Sequence, residues 1–214
     1  LEADGHYAIF VNVVSAKGES ERVSATYLNL TGTSPQQNNG FADVPSTHSL
    51  YKAVQWANEK KLLDPHEKTW FGANDNATRG DLTVALYRLA GSPKVTLPAT
   101  SPYKDVKTTD PNYSAYIWAR QKGITYGWAD GNFHAEAGVS NATVAAFLYR
   151  YDGKKRVTVT QAPYTDVKVG SAFYREITWA KQRNLQVFPG SNYYPTALAS
   201  RGELAGFLMN YAGR

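Results

Sequence analysis

The chain has 214 residues, a length that fits one or two domains and suffices for a well-buried hydrophobic core. Its formal net charge of +5 favours acidic polymers as partners. The basic residues are scattered, however, which argues against a nucleic-acid-binding domain. The chain has no cysteine, so disulfides and cysteine-based metal sites are excluded. No apolar stretch approaches the length that crosses a membrane.

Residues 1–40 differ in composition from the rest of the chain. Residues 7–14 and 21–30 are rich in β-branched side chains and flank a short turn, so they predict a β-hairpin. Residues 4–7 resemble the tyrosine corner of an immunoglobulin-like sandwich. Because a lone hairpin is marginally stable in water, it either packs on the downstream helices or is the stump of an upstream module. We favour the stump, with residues 31–40 as a linker.

From residue 41 onward the chain repeats three times. Each unit opens with an aromatic residue, any residue, aspartate and valine, and the aspartates, Asp43, Asp105 and Asp166, are spaced by 62 and 61 residues. The units are residues 41–92, 103–153 and 164–214. Each combines two amphipathic stretches with a loop between them, which predicts helix, loop, helix.

The predicted fold class is therefore mainly α. A unit of about 50 residues buries its own apolar stripes poorly, so we expect neighbouring units to supply the missing surface. Three helix–loop–helix units would then form a trimer-like bundle around a pseudo-threefold axis. A tryptophan recurs at the same place in the first helix of each unit, at Trp56, Trp118 and Trp179. We expect these three side chains to lie in the core.

The closing helix of each unit has a marked beginning. Thr78 and Asp81 form the two halves of a predicted capping box, and Gly91 supplies the exit from that helix. The pattern returns at Ser200-Arg201-Gly202-Glu203 and, in altered form, at Ser140-Asn141-Ala142-Thr143. The helix start leaves backbone N–H groups free, so an arginine there predicts an anion-binding site.

These motifs together resemble the S-layer homology (SLH) domain. The resemblance rests on the aromatic-x-Asp-Val opening, on Trp-Ala in the first helix, on residues 122–133 and on Thr78-Arg79-Gly80-Asp81. It extends over residues 41–214, and the closing helices resemble a variant common in surface proteins of actinobacteria. The family implies non-covalent attachment of exported proteins to cell-wall polysaccharide, often pyruvylated, through grooves between three prongs.

The resemblance also implies which residues bind the glycan. The helix-opening arginine of the family meets the acidic group of the glycan and is present here as Arg79 and Arg201, whereas the middle unit has Asn141. Position alone leaves an equal alternative, an arginine paired with a neighbouring carboxylate. The loop residues Trp70, Trp128 and Tyr194 either stack on sugars or cover their own unit's core. The candidate ligand-binding residues are Arg79, Arg201, Asn141, Trp128, Asp130, Trp70, Tyr194, Asp43, Asp105 and Asp166. For the three aspartates that open the units, a cap or turn is the more frequent role.

Two other classes of function stay open at this point. A glycan hydrolase needs two facing carboxylates, but no two loop carboxylates recur as a pair, so we expect no catalytic residues. A protein-docking surface, or the targeting module of a secreted wall-active enzyme, is the alternative. The four histidines lack metal-ligand spacing, so we expect no metal and no cofactor. We expect a secreted monomer at the cell wall, without nucleic-acid partners or membrane insertion.

Overall fold

A computed structural model of the protein describes residues 40–158 and 161–213, together with four short strands of the N-terminal segment. The chain divides into two compact units, Leu1–Asn39 and Gly40–Arg214. The strands are β1 (Tyr7–Ala8), β2 (Asn12–Val14), β3 (Ser20–Arg22) and β4 (Tyr27–Leu28). β1 pairs with β4 and β2 with β3, both antiparallel. The predicted turn, residues 4–6 of the tyrosine corner and residues 31–39 of the linker lie outside the described residues. The origin of this segment as a hairpin from an upstream module stays a prediction.

The part of the chain from Gly40 to Arg214, which contains all three repeated units, is mainly helical, as the sequence predicted. Its described residues form six helices: α1 (Tyr51–Glu59), α2 (Arg79–Leu89), α3 (Tyr113–Gln121), α4 (Asn141–Tyr151), α5 (Tyr174–Gln182) and α6 (Arg201–Ala212). Residues 40–158 and 161–213 contain no extended strand, only isolated β-bridges. None of the helices in these ranges has both the length and the apolarity required to span a bilayer.

The predicted capping boxes of α2 and α6 are present. In α2 the Asp81 amide donates to Thr78 Oγ1 at 3.0 Å and the Thr78 amide donates to Asp81 Oδ2 at 3.0 Å. Ser200 and Glu203 form the same reciprocal pair in α6. α4 has only half of it, because Thr143 stands where the other two helices have a carboxylate. Gly91 follows α2 with φ of 81°, a conformation that glycine adopts without strain.

The helices of neighbouring units interlock. α2 packs on α3 of the second unit, α4 packs on α5 of the third unit, and α6 returns to pack on α1. Each closing helix thus covers the first helix of another unit, and the contacts run in a cycle from the first unit to the third and back.

A ring of three backbone hydrogen bonds joins the segments that precede the closing helices. The Ala77 amide donates to Ala199 O at 2.9 Å, Ala199 donates to Val139 O at 2.8 Å, and Val139 donates to Ala77 O at 2.9 Å. All three residues are buried. Each unit therefore satisfies a buried backbone group of the next unit, which makes separate folding of single units unfavourable.

The recurring tryptophans occupy the core to different degrees. Trp118 and Trp179 are buried, with 3% and 0% of their surface exposed, whereas Trp56 is only partly buried at the edge of the core. Trp118 lies between the rings of Tyr87 and Tyr151, with centroids 5.6 and 5.9 Å away. The prediction of a core role is confirmed for these two tryptophans and holds only in part for Trp56.

Candidate functional site

The aspartates that open the units hold the loops of their own units in place. Asp105 accepts hydrogen bonds from the amides of Phe133 and His134, both at 2.7 Å. Asp43 accepts two from loop amides at 2.8 Å, and Asp166 accepts two at 2.8 and 2.7 Å. Each carboxylate thus fixes a loop 27 to 30 residues downstream. The turn role proposed for these aspartates is the one that their contacts support.

The three aspartates differ in exposure. Asp43 is buried, with 1% of its surface exposed, whereas Asp105 and Asp166 lie at the surface. In α1, α3 and α5 the side chain of the N-cap residue makes no capping hydrogen bond. The carboxylates therefore serve the loops and not the helices that follow them in sequence.

The helix-opening residues insert between units, and their backbone donors are occupied. The Arg79 amide donates to Ala137 O at 2.9 Å, and the Gly80 amide donates to Ala135 O at 2.8 Å. In the same way, the amides of Arg201 and Gly202 donate to backbone carbonyl groups in the loop of the first unit. The third amide of each of these helices is bonded to the capping hydroxyl. Our expectation that these N–H groups are free to bind an anion is therefore wrong. The reason is the packing of one unit's loop against the next unit's helix.

Arg201 is buried and carries its own counter-ion. Its side chain is 4% exposed, and Nη1 donates to Asp81 Oδ1 at 2.8 Å. Nε donates to Phe71 O at 3.4 Å and Nη2 donates to Asp64 O. The guanidinium also lies over the Phe71 ring, 5.2 Å from its centroid. The charge of Arg201 is thus neutralised within the protein. This is the alternative stated above, an arginine paired with a carboxylate of the protein itself.

Arg79 occupies the equivalent place without a counter-ion. It is 6% exposed, Nε donates to Phe133 O at 3.0 Å, and Nη2 donates to Thr125 Oγ1 at 3.1 Å. Among the described residues it forms no ion pair. Burial lowers the pKa of Arg79, the nearby Tyr103 and Asp105 raise it, and the positive charge of Arg150 lowers it. An arginine remains protonated under such shifts, so Arg79 places a buried positive charge in this interface.

The third interface is closed by a different pair of side chains. Asn141 is 3% exposed and donates from Nδ2 to Tyr194 O at 3.1 Å. Tyr193, where the other units have Phe71 and Phe133, donates its hydroxyl to Asn141 O at 3.3 Å. This interface therefore has an asparagine–tyrosine pair where the other two have an arginine–phenylalanine pair. Burial raises the pKa of Tyr193, so this hydroxyl stays protonated.

A second set of residues, missed from the sequence, accompanies the helix-opening ones. Nine residues after Arg79, Asn141 and Arg201 stand Arg88, Arg150 and Asn210. Each donates to the carbonyl of a leucine or isoleucine just after the first helix of its own unit. Arg88 also pairs with Asp64 at 2.7 Å. The signal was available, because this residue follows at the same distance in all three closing helices.

These residues define three equivalent sites between the units. The Arg201 cleft comprises Arg201, Arg88, Asp81 and Asp64. At the corresponding positions in the sequence, the Arg79 site has Arg79, Arg150, Thr143 and Tyr126, and the Asn141 site has Asn141, Asn210, Glu203 and Val187. The Arg201 cleft encloses about 590 Å³ and reaches Tyr116 and Glu136 of the second unit. Both of its arginines are paired with aspartates.

The loop residues predicted to bind sugar are exposed, but they do not form one surface. Trp128 is 51% exposed and lies against the Arg79 site, with its ring 5.8 Å from the guanidinium carbon. Asp130 is joined to Trp128 through His134, whose Nε2 lies 2.6 Å from Asp130 Oδ2 and whose ring packs against Trp128 at a tilt, with centroids 4.1 Å apart. The pKa of Asp130 is lowered, mainly by the hydrogen bond from the Asn132 backbone amide and next by the hydrogen bond with the His134 side chain. Trp70 and Tyr194 lie in the loops of the other two units. Half of the Trp128 ring thus remains open beside a buried cation.

Across residues 40–158 and 161–213, no group of three histidine, aspartate or glutamate side chains is placed to hold an ion.

Comparison with known families gives one match. The S-layer homology domain model matches residues 40–83 and 102–145, which run from the beginning of each of the first two units into the first turn or so of its closing helix. S-layer homology domains are generally cell-wall anchoring modules that bind secondary cell-wall polymers. No curated protein matches the chain.

Proposed function

We propose that this chain anchors a secreted protein to the cell wall by binding a wall polysaccharide non-covalently. The observation that carries the proposal is the match of two segments to the S-layer homology domain, because such domains generally bind cell-wall polymers. The position of the helix-opening residues between units supports it. They lie beside exposed rings and a cleft of about 590 Å³.

The third unit, residues 164–214, is proposed as a third repeat of the same kind. Three features support this assignment. Asp166 holds its loop as Asp43 and Asp105 do, α6 begins with the capping box of α2, and α6 packs on α1 as α2 packs on α3. The hydrogen-bond ring of Ala77, Val139 and Ala199 further supports a pseudo-threefold axis within a monomer.

Exposed aromatic rings suit a carbohydrate ligand. A half-exposed ring such as Trp128 can stack on a sugar face, while neighbouring polar groups fix its orientation. The net charge of +5 adds long-range attraction to an acidic polymer. The proposed ligand is therefore an acidic wall polysaccharide, with pyruvylated polymers as one member of that class.

Co-sedimentation with purified walls tests the proposal. We expect the chain to sediment with intact walls and to remain in solution after mild acid has stripped the polysaccharide. Sedimentation that survives stripping would indicate docking to a wall protein or to peptidoglycan. Release of soluble wall fragments during the incubation would show an enzyme, which we do not expect, because Asp64 and Asp81 in the cleft are each held by an arginine.

A further inference from the structure

A groove on the second unit lies apart from the sites between units. It encloses about 530 Å³ between the segment that joins the first two units and the C-terminal half of α3. The joining segment contributes Leu97, Pro98 and Pro102, and the second unit contributes Arg120 and Tyr126. None of its lining residues belongs to the Arg201 cleft. We call it the α3 groove.

Side chains of α3 hold the joining segment in place by its carbonyl groups. Gln121 donates from Nε2 to Thr96 O at 2.9 Å, and the Tyr113 hydroxyl donates to Pro98 O at 3.3 Å. Val95 packs on the hydrophobic core. Residues 92–98 form neither helix nor turn. The segment therefore lies along α3 as a fixed wall of the groove.

The backbone of this wall has hydrogen-bonding groups without a partner. Within the described residues, neither the amide nor the carbonyl of Val95 or of Leu97 makes a hydrogen bond. Leu97 is also 45% exposed. Unpaired backbone groups at alternate residues are the feature to which an extended peptide adds as a further strand. The joining segment thus offers an edge for main-chain pairing.

Arg120 brings a positive charge to the groove. Its Nη1 donates to Tyr126 O at 2.9 Å, and its guanidinium carbon lies 5.6 Å from the ring centroids of both Tyr103 and Tyr126. Within the described residues it pairs with no carboxylate. A half-buried guanidinium without a counter-ion favours a ligand that carries a carboxylate.

Apolar surface surrounds this charge. The Tyr126 ring is 64% exposed, and Leu97, Pro98 and Pro102 are exposed beside it. Exposed apolar surface that is contiguous and rimmed by polar groups is typical of interaction sites. The α3 groove therefore fits an apolar side chain next to a carboxylate.

We propose that the α3 groove docks an extended segment of a partner protein, in which an acidic residue stands two positions from an apolar one. Side chains at this spacing project from the same face of an extended chain. The carboxylate then pairs with Arg120, the apolar side chain lies against Tyr126 and Leu97, and the partner's main chain pairs with the edge. A second copy of the chain fits less well, because both copies carry a net charge of +5. A glycan fits less well, because it lacks a peptide backbone for the edge.

Two short peptides serve as probes. The acidic probe is acetyl-Thr-Leu-Thr-Asp-Thr-amide, and the neutral probe has asparagine in place of aspartate. In a nuclear magnetic resonance titration, we expect the acidic probe to shift the backbone amide resonances of Val95 and Leu97 at millimolar concentration. The neutral probe should bind about tenfold more weakly, because a hydrogen bond to a charged group is lost. Equal binding of the two probes, or no shift with either, would overturn the proposal.

Arg120→Gln removes the charge of the groove and keeps a donor for Tyr126 O. It should weaken the acidic probe about tenfold and leave the neutral probe unchanged. Lys181→Gln is the matched control, because Lys181 has the position in α5 that Arg120 has in α3 and instead bonds Pro163 O. This control should change neither probe. Equal effects of the two substitutions would contradict a specific role of Arg120.

The apolar contact has its own pair of variants. Leu97→Asn should weaken both probes severalfold, whereas Val169→Asn, which changes a 69% exposed residue of the third unit, should weaken neither. Unaltered binding in Leu97→Asn would remove this side chain from the docking surface and overturn the proposed arrangement. Melting curves establish that all variants are folded.

Two further measurements distinguish the other occupants. Sedimentation equilibrium should show a monomer, and a dimer that Arg120→Gln abolishes would place a second copy in the α3 groove and overturn the proposal. Arg120→Gln should co-sediment with purified walls like the wild type, and a loss would assign the groove to the wall polymer instead. Failure of the wild type itself to bind walls contradicts the anchoring function, whereas probe binding tests the α3 groove independently of it.

Discussion

Asp81 Oδ1 accepts a hydrogen bond from Arg201 Nη1 at 2.8 Å, although 120 residues separate the two in the sequence. Asp81 Oδ2 simultaneously accepts from the Thr78 amide at 3.0 Å. One carboxylate thus caps α2 and neutralises the first residue of α6. The pair joins the last helix of the chain to the first unit and so closes the cycle of contacts.

The Arg201–Asp81 pair is expected to contribute to stability. Removing one partner of a buried pair leaves the other charge uncompensated, at a cost of about 3–5 kcal/mol. Arg201→Ala should therefore lower the free energy of unfolding by about 3 kcal/mol in urea denaturation. In a double-mutant cycle with Asp81→Ala, the coupling energy should exceed about 1 kcal/mol. Additive effects of the two substitutions would show that the pair contributes nothing beyond its separate contacts.

Two of the unit-opening aspartates make the same carboxylate–amide hydrogen bonds, one in the buried interior and one at the surface, so their substitution provides a matched comparison. Asp43→Asn replaces one acceptor oxygen by an amide donor that faces a loop N–H, and at this buried position it should cost about 2–3 kcal/mol. Asp105→Asn makes the same change at the surface, where water can satisfy the loop amide, and should cost about 1 kcal/mol. Equal losses in urea denaturation would contradict a dependence on burial.

The tryptophans should separate stability from binding. Trp118→Ala removes a buried ring between Tyr87 and Tyr151 and should cost about 3–5 kcal/mol. Trp128→Ala removes a half-exposed ring, so it should change the free energy of unfolding by less than about 1 kcal/mol and weaken wall binding about tenfold. Melting and sedimentation of both variants provide the test. A stable Trp118→Ala variant that no longer binds walls would assign Trp118 to the ligand.

Stability should depend on pH through His48. Burial lowers the pKa of His48, an effect partly opposed by Asp43, and Nδ1 accepts a hydrogen bond from the Leu50 amide at 3.1 Å. Because the pKa is lower in the folded state than the unfolded value of about 6.5, the unfolded state takes up the proton first. Stability is therefore retained above about pH 6.5 and lost as the pH falls below it. His48→Asn keeps a hydrogen-bond acceptor but does not titrate. The advantage of the wild type over this variant in free energy of unfolding should therefore decrease as the pH is lowered from 7 to 5. An unchanged difference across that range would exclude His48 as the source.

Local features of the fold could be predicted from the sequence. The capping hydroxyl of Thr78, its partner Asp81 and the exit at Gly91 all lie within one helix, so short-range patterns identify them. Burial of Trp118 and Trp179 follows from their place on an amphipathic helix. These properties depend on residues a few positions apart.

The chemistry between the units could not be predicted in the same way. Arg79 donates to Phe133 O, 54 residues away, and Arg201 donates to Phe71 O, 130 residues away. The free helix-start donors were predicted wrongly because those partners belong to other units. The recurrence of an arginine or asparagine nine residues into each closing helix was visible in the sequence. The role of this position depends on the fold, which places Arg88 beside Asp64.

Calorimetry with purified wall polysaccharide tests the central claim most directly. The polysaccharide is titrated into the wild-type chain before and after chemical removal of its acidic substituents. The account predicts that the intact polysaccharide binds and that its affinity falls at least tenfold after removal, because a hydrogen bond to a charged group contributes about 1.5–3 kcal/mol. No binding to either polymer, or equal affinity for both, would contradict it.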